Sequence, residues 1–143
     1  MTAVGTRVDF YIATRFQFLP LACRVIEKVY GLEHSVYVHT ESLAQAKELD
    51  ALLWSFKPDN FIPHELYEAD NPEQQAAVLL GFEEPPIAAD DVLVNLTDAV
   101  PVFFSRFSRV AEIVAPLEDK KKIARARFKY YRENGYVLQS HNL

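Results

Sequence analysis

Between Lys120 and Arg132 the chain sets seven basic side chains, Lys120, Lys121, Lys122, Arg125, Arg127, Lys129 and Arg132, with no acid among them. They are seven of fifteen Lys and Arg residues, and the other eight face twenty Asp and Glu elsewhere. The chemistry open to such a run is anion recognition. Guanidinium and ammonium groups on one ridge suit phosphates, or the carboxylates of an acidic peptide with an apolar end. A merely solvated helix face usually mixes signs to gain i,i+4 pairs, and this one does not. The run alone does not choose between the two kinds of anion.

The element that must carry these charges is a helix within Leu117–Leu138. Glu118 and Asp119 fall in its first turn and Arg132 in its last, which suits the macrodipole. Gly135 stands where a helix ends with positive φ, and Tyr136-Val137-Leu138 reads as a short strand. At about 100° per residue, Lys121, Lys122, Arg125, Lys129 and Arg132 share one face. Leu117, Ile123, Ala124, Ala126, Tyr130 and Tyr131 spread over the other side, with Phe128 at the border beside Lys121. Lys120 and Arg127 fall inside the apolar arc and are expected to snorkel or cover its edge.

Other chemistry is thinly represented. The four glycines, Gly5, Gly31, Gly81 and Gly135, are far apart, so neither G-x-G-x-x-G nor a Walker loop exists to cradle phosphate. His64-Glu65-Leu66-Tyr67-Glu68 is half of a zinc-protease helix motif without the second histidine. His34, His39 and His141 are scattered, which argues against a metal site, and His64 reads as a hydrogen-bonded structural residue. Cys23 lies on an apolar helix stripe and reads as core. Asp9, Asp50, Asp90 and Asp91 are acids that the fold could bring together at strand ends, but their spacing forms no recognisable catalytic set. No cofactor and no catalytic residue is expected.

A chain of 143 residues, half apolar and about a quarter charged, fits one globular domain spanning 1–143. No apolar run reaches the length of a membrane span, and the N-terminus lacks the apolar core of a signal peptide. A single cysteine excludes an internal disulfide and agrees with the cytoplasm. A net charge of −5 argues against a protein that coats DNA by itself.

Taken in order, Val8–Ala13 reads as a strand and Pro20–Gly31 as a helix closed by Gly31. Ser35–His39 is a second strand, followed by a helix over Glu41–Phe56 capped by Thr40 or Ser42. Phe61–Leu66 is too short and proline-broken for a central strand. Ala77–Gly81, Asp91–Leu96 and Val110–Val114 read as strands, with a short helix in Pro101–Phe107. This alternation predicts an α/β fold with a largely parallel sheet flanked by helices.

The stretch Leu52–His64 gathers Trp54, Phe56, Phe61 and two prolines around a helix end. Leu49, Leu52, Leu53 and Phe56 already give that helix a core stripe. Trp54 and Phe61 then either plug the core or project outward as anchors of a protein interface.

LDALLWSFKPDNFIPH and, near the C-terminus, ARARFKYYRENGYVL together resemble the chi subunit family of the bacterial DNA polymerase III holoenzyme. The resemblance spans essentially the whole chain. It implies a Rossmann-like α/β domain without a nucleotide-binding loop, acting as a non-catalytic adaptor in the clamp-loader assembly during DNA replication. It further implies two partners: the psi subunit, and the acidic, Phe-ended C-terminal tail of single-stranded DNA-binding protein (SSB). Single-stranded DNA would be reached only indirectly, through that protein. By motif position, Trp54, Phe61, Pro63 and His64 resemble the psi-facing region. Lys121, Arg125, Phe128 and Lys129 resemble the tail-binding patch, with Ala115 at its apolar margin, where the family pattern can carry a larger Val. The expected state is a cytoplasmic monomer or a heterodimer with psi. The competing reading is a module that binds nucleic acid directly through the same basic helix.

Overall fold

The central strands of this chain are short runs rich in β-branched and aromatic residues, buried on both faces, the pattern of a parallel sheet covered on two sides. The computed structural model describes residues 5–56, 62–71, 74 and 76–143. Among them, seven strands form one sheet: β1 (Arg7–Ile12), β2 (Val36–His39), β3 (His64–Leu66), β4 (Val78–Gly81), β5 (Val92–Asn95), β6 (Arg109–Val114) and β7 (Val137–Asn142). Their order is β3-β4-β2-β5-β6-β1-β7, and every pairing is parallel. Three helices accompany the sheet: α1 (Phe18–Gly31), α2 (Leu43–Phe56) and α3 (Glu118–Glu133). The architecture is α/β and Rossmann-like.

Alternation along the strands sorts the core into two layers. Tyr11, Ala111 and Ile113 pack with Leu21, Val25 and Ile26 of α1 and with Ala46, Leu49 and Leu53 of α2. Their neighbours Phe10, Val110 and Val114 face the other way, onto Ala124 and Tyr131 of α3 and onto Phe103, Phe104 and Phe107. The connection from β1 therefore leaves over one face toward β2, and that from β6 over the opposite face toward β7. The carboxyl ends of adjacent β1 and β6 thus form the switch point of the sheet, where α/β folds place their binding crevices. α3 starts there.

Most expected boundaries agree with the structure within one or two residues. Phe61–Leu66, excluded as a central strand, holds the three-residue β3 at the sheet's edge. The turn after Val100 is a single 3-10 turn at Phe104–Arg106. α1 begins two residues before Pro20, which sits in the first turn where no intrahelical N–H is needed. The residue with positive φ after α1 is Glu33 (φ 68°) rather than Gly31, whereas Gly135 (φ 82°) ends α3 as expected. Ser42 is the cap of α2: its hydroxyl accepts from the Gln45 N–H (3.2 Å), while Gln45 Oε1 accepts from the Glu41 N–H (2.9 Å). β7 runs to Asn142, well beyond Leu138, and ends the sheet beside β1.

Candidate functional site: a cationic cleft beside α3

α3 packs on the sheet through Ala124, Arg127 and Tyr131, a stripe at i, i+3 and i+7. Arg127 does not snorkel. It is 6% exposed, and its Nε donates to Oε1 of Glu112 (3.1 Å), a carboxylate with no exposure in the middle of β6. Tyr131 Oη donates to the other oxygen, Oε2 (2.7 Å), and Asn95 Nδ2 to Oε1 (2.9 Å). Arg127 Nη1 also donates to the carbonyl of Asp98 (3.0 Å). Burial pushes the Glu112 carboxyl up from its ordinary range, against the pull of Arg127 and its hydrogen bonds. Lys120, the other basic residue in the arc, pairs at the surface with Asp98 (2.8 Å). Ala126 and Tyr130, expected on the packed side, are exposed instead. The opposite charge waiting on β6 explains the difference.

With Arg127 and Tyr131 turned inward, Lys121, Arg125 and Phe128 face β1 and β7 across a cleft of about 380 Å³. Its floor is apolar: Phe10 and Ile12 of β1, Val114 of β6, and Ala124 and Phe128 of α3. Phe128 lies tilted against Phe10, with centroids 5.3 Å apart. Lys121 and Arg125 stand on the helix side of the rim, and Ser140 and Asn142 on the β7 side. The parallel register, Phe10 with Ser140 and Ile12 with Asn142, brings those two polar residues there. Lys121 lies 3.9 Å from Glu118, and Arg125 makes no ion pair among the described residues. A pocket with an apolar floor and one cationic wall is shaped for an apolar group that carries a negative charge at its edge.

Of the residues expected at this patch, Lys121, Arg125 and Phe128 come together in the cleft. Lys129 is exposed on the same helix, one turn beyond Arg125, and does not line it. Ala115 lines a neighbouring cavity with Leu117 and Lys120. The apolar margin of the cleft is Val114, whose side chain points toward α3 because β6 alternates Val110, Glu112, Val114 on that face. Val114, Ser140 and Asn142 had no signal in the motif; only the sheet register reveals them.

The Trp54 region lies elsewhere. Trp54, in the last turn of α2, is 58% exposed, so it is not a core plug. Its ring lies on that of His64, with centroids 4.9 Å apart. His64 is buried: Nδ1 donates to the carbonyl of Ile62 (2.7 Å) and Nε2 lies 3.3 Å from Asp50 Oδ1. Pro63 beside it is half-buried, and Phe61 lies outside the described residues. α2 packs against β3 and β4, while α3 packs against β6 and β7. The two regions therefore lie toward opposite ends of the seven-stranded sheet: β3, which carries His64, and β1, which carries Phe10 and Ile12, are five strand spacings apart, about 24 Å.

The remaining candidates do not converge. Asp9 is fully buried and bonds Arg109 (3.0 Å) and His141 (3.1 Å), tying β1 to β6 and β7. Asp91 binds His34 (3.0 Å), and Asp50 belongs to His64. Cys23 is buried on α1. Among the described residues no three His, Cys, Asp or Glu side chains are placed to hold a metal, and no helix is long and apolar enough to cross a membrane. Charge is strongly divided along the chain. Between Lys57 and Arg106 there are ten Asp and Glu residues and no Lys or Arg.

The chain is similar to named proteins of one family. The family described as DNA polymerase III chi subunit, HolC, matches residues 6–139. The chain is 46% identical over 141 residues to DNA polymerase III subunit chi of Pseudomonas aeruginosa, covering 96% of this chain and 97% of that protein. The Escherichia coli protein of the same name is 30% identical over 122 residues, covering 84% and 82%. That of Haemophilus influenzae is 28% identical over 138 residues, covering 94% and 96%. On these matches the chain belongs to the family of the DNA polymerase III chi subunit, an accessory subunit of the holoenzyme rather than a catalytic one.

Proposed function

We propose that this chain is an adaptor with one grip at each edge of its sheet. The α3 cleft takes the acidic, Phe-ended C-terminal tail of SSB. The surface around Trp54 and His64 takes the psi subunit, which links the chain to the clamp loader. The observation that carries the tail reading is the composition of the cleft: an apolar floor of Phe10, Ile12, Val114 and Phe128 under a rim holding Lys121 and Arg125. A terminal phenylalanine fits the floor while the cations neutralise its carboxylate and the acids before it. Such a grip is weak alone and gains from many tails presented together. For the second grip, an exposed tryptophan braced on a buried histidine offers a rigid aromatic anchor. The roughly 24 Å between the two allows both to be occupied at once.

The test is separability. Arg125→Ala should weaken binding of a tail peptide without affecting psi, and Trp54→Ala should do the reverse. Loss of both activities in either variant would contradict two independent grips.

A further inference from the structure

We infer that Glu112 is the positioning residue of the cleft: held by Arg127 and Tyr131, it fixes the rotation of α3 over the sheet and so the line on which Phe128 and Arg125 open. The inference deepens the tail-binding reading and rests on it. Its first ground is that apolar packing alone leaves that rotation underdetermined. Ile123, Ala124, Ala126, Phe128, Tyr130 and Tyr131 spread over an arc of about 200°, so more than one rotation of α3 could have met the sheet. In the structure Ala126 and Tyr130 are exposed while a charged residue, Arg127, goes inside.

The second ground is geometry. Arg127 and Tyr131 are one turn apart and each takes a different oxygen of the same carboxylate, at 3.1 and 2.7 Å. Asn95 from β5 donates to Oε1, and the Asp98 carbonyl receives Arg127 Nη1, so the clamp is tied to two strands and a loop. A buried ion pair of this sort adds little stability over apolar residues of equal volume, but it tolerates one arrangement only. The clamp also touches the cleft. The Phe10 ring lies 6.0 Å from Tyr131 and 5.3 Å from Phe128. Arg125 stands about 200° around the helix from Arg127, so fixing one inward sets the other outward. A rotation of about 20° at a radius of about 5 Å would move side chains on the rim by about 1.7 Å, enough to reshape the floor.

The experiment compares the unaltered protein with the apolar replacement Glu112→Leu/Arg127→Met and with Tyr131→Phe. Each is measured for thermal midpoint and for affinity toward an acidic Phe-ended peptide and the same peptide lacking its Phe. The double variant leaves the Tyr131 hydroxyl buried without its acceptor, so its midpoint should fall, but by no more than about 10 °C. It should lose about tenfold in affinity for the full peptide, the loss falling on the contribution of the terminal Phe while salt dependence persists. Tyr131→Phe, which keeps the ring and drops one bond to Glu112, should lose about threefold in the same way. Wild-type affinity and full Phe dependence in a folded double variant would overturn the inference. If the double variant does not fold, the same result in Tyr131→Phe overturns it. Should the unaltered protein ignore the terminal Phe, the tail reading itself fails, and the inference falls with it.

Discussion

Replacing Arg125 by alanine probes the cleft most cleanly, because the side chain lines the rim, is exposed, and makes no ion pair among the described residues. A carboxylate about 4 Å from a guanidinium gains between about 1 kcal/mol in bulk water and about 4 kcal/mol near a protein surface. Exposure on the rim places this pair toward the lower end. A loss of about 1.5 kcal/mol, roughly tenfold in Kd, is expected. Stability should change by no more than about 0.5 kcal/mol, since no buried contact is removed. Lys129→Ala is the internal control: it removes an equal charge one turn along the same helix but outside the cleft, and should cost less. Fluorescence anisotropy with a labelled acidic Phe-ended peptide, across a salt series, reads both variants. Equal losses for Arg125 and Lys129 would show that diffuse charge, not the cleft, holds the peptide, and the reasoning would fail.

Trp54→Ala should leave the fold intact, costing about 1 kcal/mol from the ring contact with His64, yet weaken psi binding by about 2 kcal/mol or more in calorimetry. Cys23 has no exposure and burial pushes its thiol up to about 12, so iodoacetamide at pH 8 should label it only after denaturation. Burial raises the Asp9 carboxyl, but His141, Arg109 and Arg7 together outweigh it and hold the group below its ordinary value of 3.8. Its contribution to stability is therefore present above about pH 4 and lost as pH falls through the lowered folded value. Asp9→Asn should flatten that part of an acid-unfolding curve, and an unchanged curve would remove Asp9 from the account.

Much of this fold was legible because its signals are local. Strands announced themselves as β-branched and aromatic runs, and α3 was bounded by acids at its start and Gly135 at its end. The length and prolines of Phe61–Leu66 exclude a central strand, and β3 lies at the edge. What stayed hidden depends on distant partners. Arg127 looks misplaced in an apolar arc and Glu112 looks misplaced in a strand; each is explained only by the other, fifteen residues away. β7 reads as a short strand because Gln139-Ser140-His141-Asn142 is polar, yet it pairs along its whole length with β1. The cleft divides along the same line. Lys121, Arg125 and Phe128 follow from helical spacing, whereas Val114, Ser140 and Asn142 arrive through parallel register. Ala115, one residue past the end of β6, belongs to the next cavity for the same reason.

The central claim is that the basic helix recognises a peptide end rather than a nucleic-acid strand. Its most direct measurement titrates the protein, at physiological salt, with an acidic Phe-ended peptide, the same peptide without its Phe, and a single-stranded oligonucleotide. The account predicts that the full peptide binds best and that removing the Phe costs about 2 kcal/mol, the scale for burying that side chain. It predicts further that the oligonucleotide binds weakly, because the chain beyond α3 is acidic. A protein that binds the oligonucleotide better than the peptide, and to which the terminal Phe makes no difference, would contradict it.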